Sequence, residues 1–368
     1  MSRGRFERKK EKPRASKVVL IVLIVILVLV LALAAAGVSY YYYAISRVKQ
    51  VEVPKIQYTT VPTEPQAQLE TEATEEETTA PTETVHVPSS EDYINFLVVG
   101  QASRAGDEER MADSMILVTL NTYEKSITLT SILRDTLVQQ GGRYGTHSYG
   151  GGKINAMYHM GYLWDGTAGS MAVMNQILYD NFGIEVDHNI EVSFDAFTEA
   201  IYALGGIEIE LTQEEADYLN GDDVWVKREM KAGKEKLNGM AALSYVRMRK
   251  AVGDGESDIV RTERQRKFIE AVVAKMKQMD LGVIQKAVDR VLPHIATSMT
   301  TEEITDTLLT MLTILPELKM NPGGQCPASG WGDVADIYGD GTMHSVMKFN
   351  VQQTKKEMRA ITEGEIYE

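Results

Sequence analysis

From Val18 to Ala36 the chain carries no charged or polar side chain. A run of that length and composition is long enough to cross a bilayer as a helix. Arg3, Arg5, Arg8, Lys9, Lys10, Lys12, Arg14 and Lys17 precede it, and Tyr40 to Tyr43 follow it. Cations flanking one end stay on the cytoplasmic side, and aromatic side chains favour the membrane interface. The pattern therefore reads as a cytoplasmic basic segment (1–17) and a single transmembrane anchor (18–43), with everything after it outside the cell. Ala34-Ala35-Ala36 would suit a cleavable leader, but the apolar run is longer than a leader's core, which favours an uncleaved anchor in the cell membrane.

Residues 44–91 change character. Thr, Glu and Pro dominate, as in Thr74-Glu75-Glu76-Glu77-Thr78-Thr79. Such a stretch buries little and repels itself, so it is expected to be a disordered linker that sets the globular part off from the membrane. The folded domain is expected over 92–368, with a core at 92–280 and a C-terminal extension at 281–368.

Composition removes several classes of function. The single cysteine, Cys326, permits no intrachain disulfide and no multi-cysteine metal site. The six histidines are scattered, with no HExxH pair. The formal net charge of -14 argues against a nucleic-acid partner, which needs a basic footprint.

Within 92–368 the apolar pattern alternates between strand and helix. Ile94 to Val99, Met115 to Leu120 and Ser126 to Leu133 read as strands, and Ile207-Glu208-Ile209-Glu210-Leu211 as a half-exposed one. Met171, Met174, Ile177 and Leu178 make one helical stripe. Phe194, Phe197, Ile201 and Leu204 make another, stopped by Gly205-Gly206. Interleaved strands and helices predict an α/β fold, a layered α/β/α domain with a central mixed sheet, preceded by the one N-terminal transmembrane helix. Strand and turn signals at Trp331–Tyr338 and an amphipathic tail at Val351–Ile361 belong to the same domain.

The chemistry gathers near Tyr245-Val246-Arg247-Met248-Arg249 and Asp258–Gln265. Read as a strand, the first run sends Arg247 and Arg249 from one face. Read as a helix, the second puts Arg261, Arg264 and Gln265 on one face, in line with the apolar Phe268, Val272 and Met276. Guanidinium forks match phosphate oxygens, and a helix N-terminus favours an anion. The cluster is either a pyrophosphate pocket or a set of structural ion pairs with the many carboxylates. Other polar residues stand where strands end, the usual ligand position in open α/β sheets: Arg104 after the first strand, Asp113 before the second, Arg134-Asp135 at the end of the third, and Lys153 and Asn155 after the glycine-rich stretch 141–152.

In this order the pieces resemble the LytR–CpsA–Psr family of bacterial cell-envelope proteins. The residues that carry the resemblance are Gly100…Arg104, Asp113-Ser114-Met115, Ser131 to Thr136, Lys153 to Ala156, Phe197…Leu204-Gly205-Gly206, Leu237-Asn238-Gly239…Ala242 to Arg249, and Asp258…Arg261…Arg264-Gln265. The resemblance implies a phosphotransferase that moves a glycopolymer from an undecaprenyl-pyrophosphate carrier onto peptidoglycan as a phosphodiester. Arg134, Arg247, Arg249, Arg261 and Gln265 would hold the pyrophosphate, with Arg104, Arg264, Lys153 and Asn155 supporting. Asp113 would bind Mg2+ (or Mn2+). Asp135 would act as general base or would orient Arg134. The polyprenyl tail would lie between sheet and helices, along the Met171 and Phe194 stripes, and glycan contacts would fall in loops such as Asp222–Lys236.

One position departs from the family pattern: Ala102 stands where a second metal-binding aspartate is usual, and the arginine before Asp113 is shifted to Arg110. Gln101 and Asp107 are the nearest replacements. The departure keeps two other readings open, a non-catalytic polyprenyl-pyrophosphate binder or sensor, and a pyrophosphatase acting on the same lipid with water as nucleophile.

Overall fold

The structure, a computed structural model, describes residues 43, 45–54, 89–101, 111–221, 229–248, 258–327, 331–335, 337 and 341–364. The anchor read at 18–43 lies, but for Tyr43, outside the described residues. No helix among the described residues is long and apolar enough to cross a membrane.

In chain order the strands are β1 (Lys49–Gln50), β2 (Tyr93–Gln101), β3 (Ala112–Asn121), β4 (Ser126–Ile132), β5 (Gly142–Tyr144), β6 (His147–Tyr149), β7 (His188–Val192), β8 (Ile207–Leu211), β9 (Gly233–Leu237), β10 (Ile295–Thr297), β11 (Lys319–Met320), β12 (Gly324–Cys326), β13 (Trp331–Ala335) and β14 (Met343–Met347). The helices are α1 (Ile154–Phe182), α2 (Phe194–Ala203), α3 (Gln213–Leu219), α4 (Gly239–Arg247), α5 (Asp258–Met276), α6 (Leu281–Val291), α7 (Thr301–Ile314) and α8 (Val351–Thr362).

Among the described residues eight strands form the central sheet in the order β1-β10-β7-β2-β3-β4-β11, with β12 also on β4. It is mixed: β2 is antiparallel to β3 and parallel to β7, while β11 and β12 both run parallel to β4. The apolar runs read from the sequence at 94–99, 115–120 and 126–133 are thus its central strands. The extension after residue 281 completes the sheet, since β10, β11 and β12 all come from it. β1 falls inside the stretch read as linker, 44–91, yet pairs parallel with β10.

One face of the sheet carries the larger core. Leu97, Val99, Met115, Leu117 and Ile132 pack there on Met174, Ile177, Leu178 and Phe182 of α1 and on Met358 of α8. α1 is two helices, 154–164 and 167–182, broken at Asp165 and at Gly166 with φ 56°. The halves cross at Gly161 and Gly169, where a Cβ on either residue would strike the other's carbonyl oxygen. A second core gathers Ile201 and Leu204, Ile207 and Ile209, Leu219, Ala241, Ala242, Tyr245 and Phe268. Met174, Ile177 and Leu178 of the Met171 stripe thus pack in the first core and Phe197, Ile201 and Leu204 of the Phe194 stripe in the second, while Met171 and Phe194 themselves belong to neither.

α4 corrects the strand reading of Tyr245–Arg249. Asn238 caps it, accepting a 3.0 Å bond from the Ala241 amide, and Met240, Ala241, Ala242 and Leu243 are strong helix formers. Arg247 ends this helix. The strand expected to set Arg247 and Arg249 on one face is therefore, up to Arg247, a helix. Arg249 lies outside the described residues.

Candidate active site

The site forms along the edge where β2 and β4 end. β2 stops at Gln101. Opposite it, a register shift pairs Gly100 with Ser114 and Gln101 with Ala112, which makes Asp113 the extra residue of a bulge. Such bulges re-aim side chains next to active sites. β4 runs out at Ile132, and the loop that follows is clamped from three sides. The Leu133 amide donates to Cys326 O at 2.9 Å, the Ile154 amide at the start of α1 to Thr136 O at 2.9 Å, and the Met347 amide of β14 to Asp135 O at 2.9 Å. Thr136, fully buried, closes the turn with a 2.6 Å bond to Leu133 O.

This clamp brings three expected residues together. Lys153 Nζ lies 2.7 Å from Asp135 Oδ1, and Arg134 Nε 3.4 Å from Asp135 Oδ2. The side chains of all three are mostly, but not fully, covered. Asn155, the second residue of α1, is buried, its backbone N–H donating to Arg134 O at 3.3 Å. Asp135 is thus held between two cations, which suits a group that orients Arg134 and Lys153 better than one free to take a proton.

The opposite wall is α5. Arg261, Arg264 and Gln265 are buried along with Phe268, so the shared face read from their spacing is present. Their partners divide them. Gln265 Oε1 accepts a 2.9 Å bond from Ser114 Oγ, next in chain to Asp113, and Gln265 Nε2 donates to Val246 O at 3.3 Å. Arg264 turns the other way, with Nε 2.9 Å from Glu215 Oε1 and Nη1 2.9 Å from Met248 O. It satisfies the open carbonyl end of α4 and a buried carboxylate, so the structural reading holds for Arg264. Glu215 also accepts from the Thr212 amide in the capping box of α3. Arg247 is exposed, its guanidinium 4.4 Å from the centroid of the Phe194 ring, a cation–π contact. Arg104 lies outside the described residues, with Ala102 and Asp107.

Several residues of the region gave no usable sequence signal. Arg266 Nη1 donates to Ser131 Oγ at 2.8 Å and to Gly324 O at 2.9 Å, and burial lowers its pKa. Finding it required knowing that β12 lies on β4. Tyr158, fully buried in α1, donates a 2.5 Å bond to Glu191 Oε2 on β7. Ser114 and Ser131 were visible only as parts of longer motifs.

Among the described residues no three His, Cys, Asp or Glu side chains cluster as a metal cage would. Near the bulge the Ser114 hydroxyl already serves Gln265, and the side chain of Asp113 is outside the described residues. One hard carboxylate suits Mg2+, which keeps waters and takes phosphate oxygens of its substrate.

The family model described as the LytR_cpsA_psr family matches residues 58–321. The chain belongs to that family. A relative from Halalkalibacterium halodurans named polyisoprenyl-teichoic acid–peptidoglycan teichoic acid transferase TagU is 32% identical over 195 residues, which covers 52% of this chain and 55% of the relative. Biofilm regulatory protein A of Streptococcus mutans is 31% identical over 182 residues, 49% of this chain and 42% of the relative. The transferase TagV of Bacillus subtilis is 29% identical over 211 residues, 56% and 49%. The chain thus spans about half the length of these LytR_cpsA_psr relatives. Among solved structures, protein gbs0355 of Streptococcus agalactiae superposes with a TM-score of 0.56 at 25% identity, over 73% of this chain and 88% of that one. A structure titled "TagT bound to LIIa-WTA" superposes with a TM-score of 0.54 at 21% identity, over 74% and 92%, which shows the shared fold.

Proposed function

We propose that the chain transfers a glycopolymer from a polyprenyl-pyrophosphate carrier to peptidoglycan as a phosphodiester, from an anchor at residues 18–43 that leaves the catalytic domain outside the cell. The observation that carries this reading is the cation-lined edge itself. Arg134 and Lys153 are fixed around Asp135 at the end of β4, with the buried Arg261–Gln265 turn of α5 tied to the Asp113 strand through Ser114. Relatives named as teichoic acid transferases support the same class of reaction.

Phosphoryl transfer asks a protein mainly for charge neutralisation and in-line placement. Arg134, Lys153 and Arg261 supply the charge, and Asp135 fixes the first two. A sugar hydroxyl of peptidoglycan attacks the sugar-linked phosphorus, the bond to the bridging oxygen breaks, and polyprenyl phosphate leaves, with the hydroxyl proton passing to the departing phosphate or to water. Mg2+ held by Asp113 would neutralise charge on the phosphate oxygens.

The tail of the lipid has a suitable place beside α5. On the face that carries Ser114 and Ser131, strand alternation also presents Val98, Val118 and Ile190. These three apolar residues of central strands are only half-buried. Beside them Phe96, Ile116 and Leu129 are buried but belong to neither packed core. An apolar surface of this kind suits an isoprenoid chain.

The deciding experiment is turnover of a short-chain polyprenyl-pyrophosphate disaccharide with peptidoglycan fragments, with and without Mg2+. Transfer lost in Arg134→Ala is the expected result. Binding without turnover, the outcome that Ala102 favours, would instead identify a lipid binder or sensor. Sugar phosphate released without an acceptor would identify a pyrophosphatase.

A further inference from the structure

The outer face of the β8–β9 ribbon carries a groove that lies apart from the cation-lined edge. Glu208 and Glu210 of β8 are exposed, and so are Lys234 and Lys236 of β9. The register sets Glu208 opposite Lys236 and Glu210 opposite Lys234, so each carboxylate stands beside an ammonium group. Ile207, Ile209 and Leu211 take the other face into the smaller core. A cleft of about 480 Å³ is lined by Glu208, Lys234, Glu235 and Lys236. A second, of about 270 Å³, is lined by Tyr202, Gly205, Gly206, Lys236 and Asn238. The two share Lys236 and so form one groove.

The second cleft is held firmly. Gly205 and Gly206 follow α2 with φ of 72° and 90°, a backbone that other residues rarely adopt. Their N–H groups donate to Tyr202 O at 3.0 Å and Ile201 O at 2.8 Å, and Lys275 Nζ donates to Gly206 O at 2.6 Å. A Cβ on Gly205 would meet nothing within 4 Å, so this backbone is an open floor. The Tyr202 ring rests on the start of α4, where a Cβ on Gly239 would come within 2.8 Å of Tyr202 Cε2. Held there, Tyr202 is still 43% exposed. A fixed aromatic face beside open backbone and polar side chains loses little freedom when a ligand binds.

We propose that this groove binds the peptidoglycan strand that accepts the glycopolymer, with a sugar ring laid on Tyr202 and its peptide stem along the Glu208–Lys236 ladder. The inference rests on the transferase reading for the identity of the acceptor. Charge selects the acceptor over the donor. The first cleft has two carboxylates, Glu208 and Glu235, and two ammonium groups, Lys234 and Lys236. A phosphate-rich polymer is repelled by the one pair as much as it is drawn by the other, whereas neutral sugars with amino- and carboxyl-bearing peptides find partners in both. Position selects a polymer. α5 runs along the ribbon, with Lys267 Nζ on Glu210 O at 2.7 Å and Lys275 Nζ on Gly206 O. From Arg261 to Lys275 the helix axis rises roughly 21 Å, so a strand seated at Tyr202 reaches the cation-lined edge only several sugars further along.

The test is binding of the full chain, in detergent micelles, to peptidoglycan sacculi stripped of teichoic acid. Tyr202→Ala should weaken binding about tenfold, as loss of an aromatic anchor does, and Tyr202→Phe should keep it. Lys236→Gln, at an exposed position, should weaken it independently. Tyr123→Ala removes a comparably exposed ring from the β3–β4 turn and should leave binding unchanged. Soluble muropeptides should compete, and a teichoic acid should not. Affinity for a polyprenyl pyrophosphate should be the same in all variants. The melting temperature shows which variants fold; if Tyr202→Ala does not, Lys236→Gln decides. Sacculi left unbound, held equally by every folded variant, or displaced by the teichoic acid rather than by muropeptides, would overturn the proposal. The two readings fail separately. Groove-dependent binding by a chain that transfers nothing would remove the transferase reading alone, and transfer to sacculi untouched by Tyr202→Ala and Lys236→Gln would remove the groove alone.

Discussion

Lys153 Nζ and Asp135 Oδ1, 2.7 Å apart, join the start of α1 to the loop that ends β4. With Arg134 on the other oxygen of the same carboxylate, the geometry casts Asp135 as the residue that aims two cations. Asp135→Asn should lower kcat while leaving the shape of the pH–rate profile unchanged. The loss should correspond to a weakened charged hydrogen bond, about 1.5–3 kcal/mol. If the acidic limb of the profile disappears in this variant, Asp135 is the general base instead.

Arg264 and Glu215 should behave as a stability pair. Both side chains are buried and their atoms lie 2.9 Å apart. Glu215→Ala strands a buried guanidinium, at a cost of about 3–5 kcal/mol. A fall in Tm with substrate affinity per folded molecule preserved is the expected result. Unchanged Tm with lost lipid binding would return Arg264 to the ligand site.

Arg266→Ala should loosen β12. It removes two bonds, to Ser131 Oγ and Gly324 O, each worth roughly 1.5–3 kcal/mol for a charged donor. Hydrogen exchange at 324–326 should speed up while exchange in β2 and β3 holds. Uniform acceleration through the sheet would show that Arg266 supports the whole fold.

Ala102→Asp should tighten Mg2+ by restoring a second hard oxygen beside Asp113. Calorimetry with the metal and a polyprenyl pyrophosphate should show the gain, about tenfold or 1.4 kcal/mol. Equal affinity in both forms would mean that position 102 is not a ligand position in this chain.

Cys326 is fully buried, and burial pushes its thiol well above the ordinary range. A folded-state pKa raised in this way gives stability that is complete below the unfolded value, near 8.5, and lost as pH rises past it. Alkylation should therefore be blocked in the folded protein at pH 8 and become fast on unfolding. Rapid modification of folded protein would contradict the burial.

Much of the fold could be read in advance because central strands and packed helices leave strong periodic signals. The runs at 94–99, 115–120 and 126–133 are all strands of the sheet. The face shared by Arg261, Arg264 and Gln265 follows from helical spacing alone. What spacing could not give was which way each head turns. Arg264 is decided by Glu215, 49 residues away, and Arg266 by a strand 58 residues further on. Tyr245–Arg249 misled because an alternating run of large side chains reads as a strand, whereas the Asn238 cap and the alanines behind it had already started a helix. β1 was hidden for another reason. Two residues carry no period, and their pairing depends on β10, far along the chain.

α5 joins the smaller core to the face of the central sheet that the larger core leaves free. Its Phe268 fills the smaller core, while its Gln265 and Arg266 reach the central sheet through two serines. The proposed catalytic edge therefore lies where the smaller core meets the free face of the central sheet. A ligand gripped by Arg134 on one side and Arg261 on the other would act as mortar across that junction. Tightening of the active site and cooperativity of the whole domain are, in this architecture, one property.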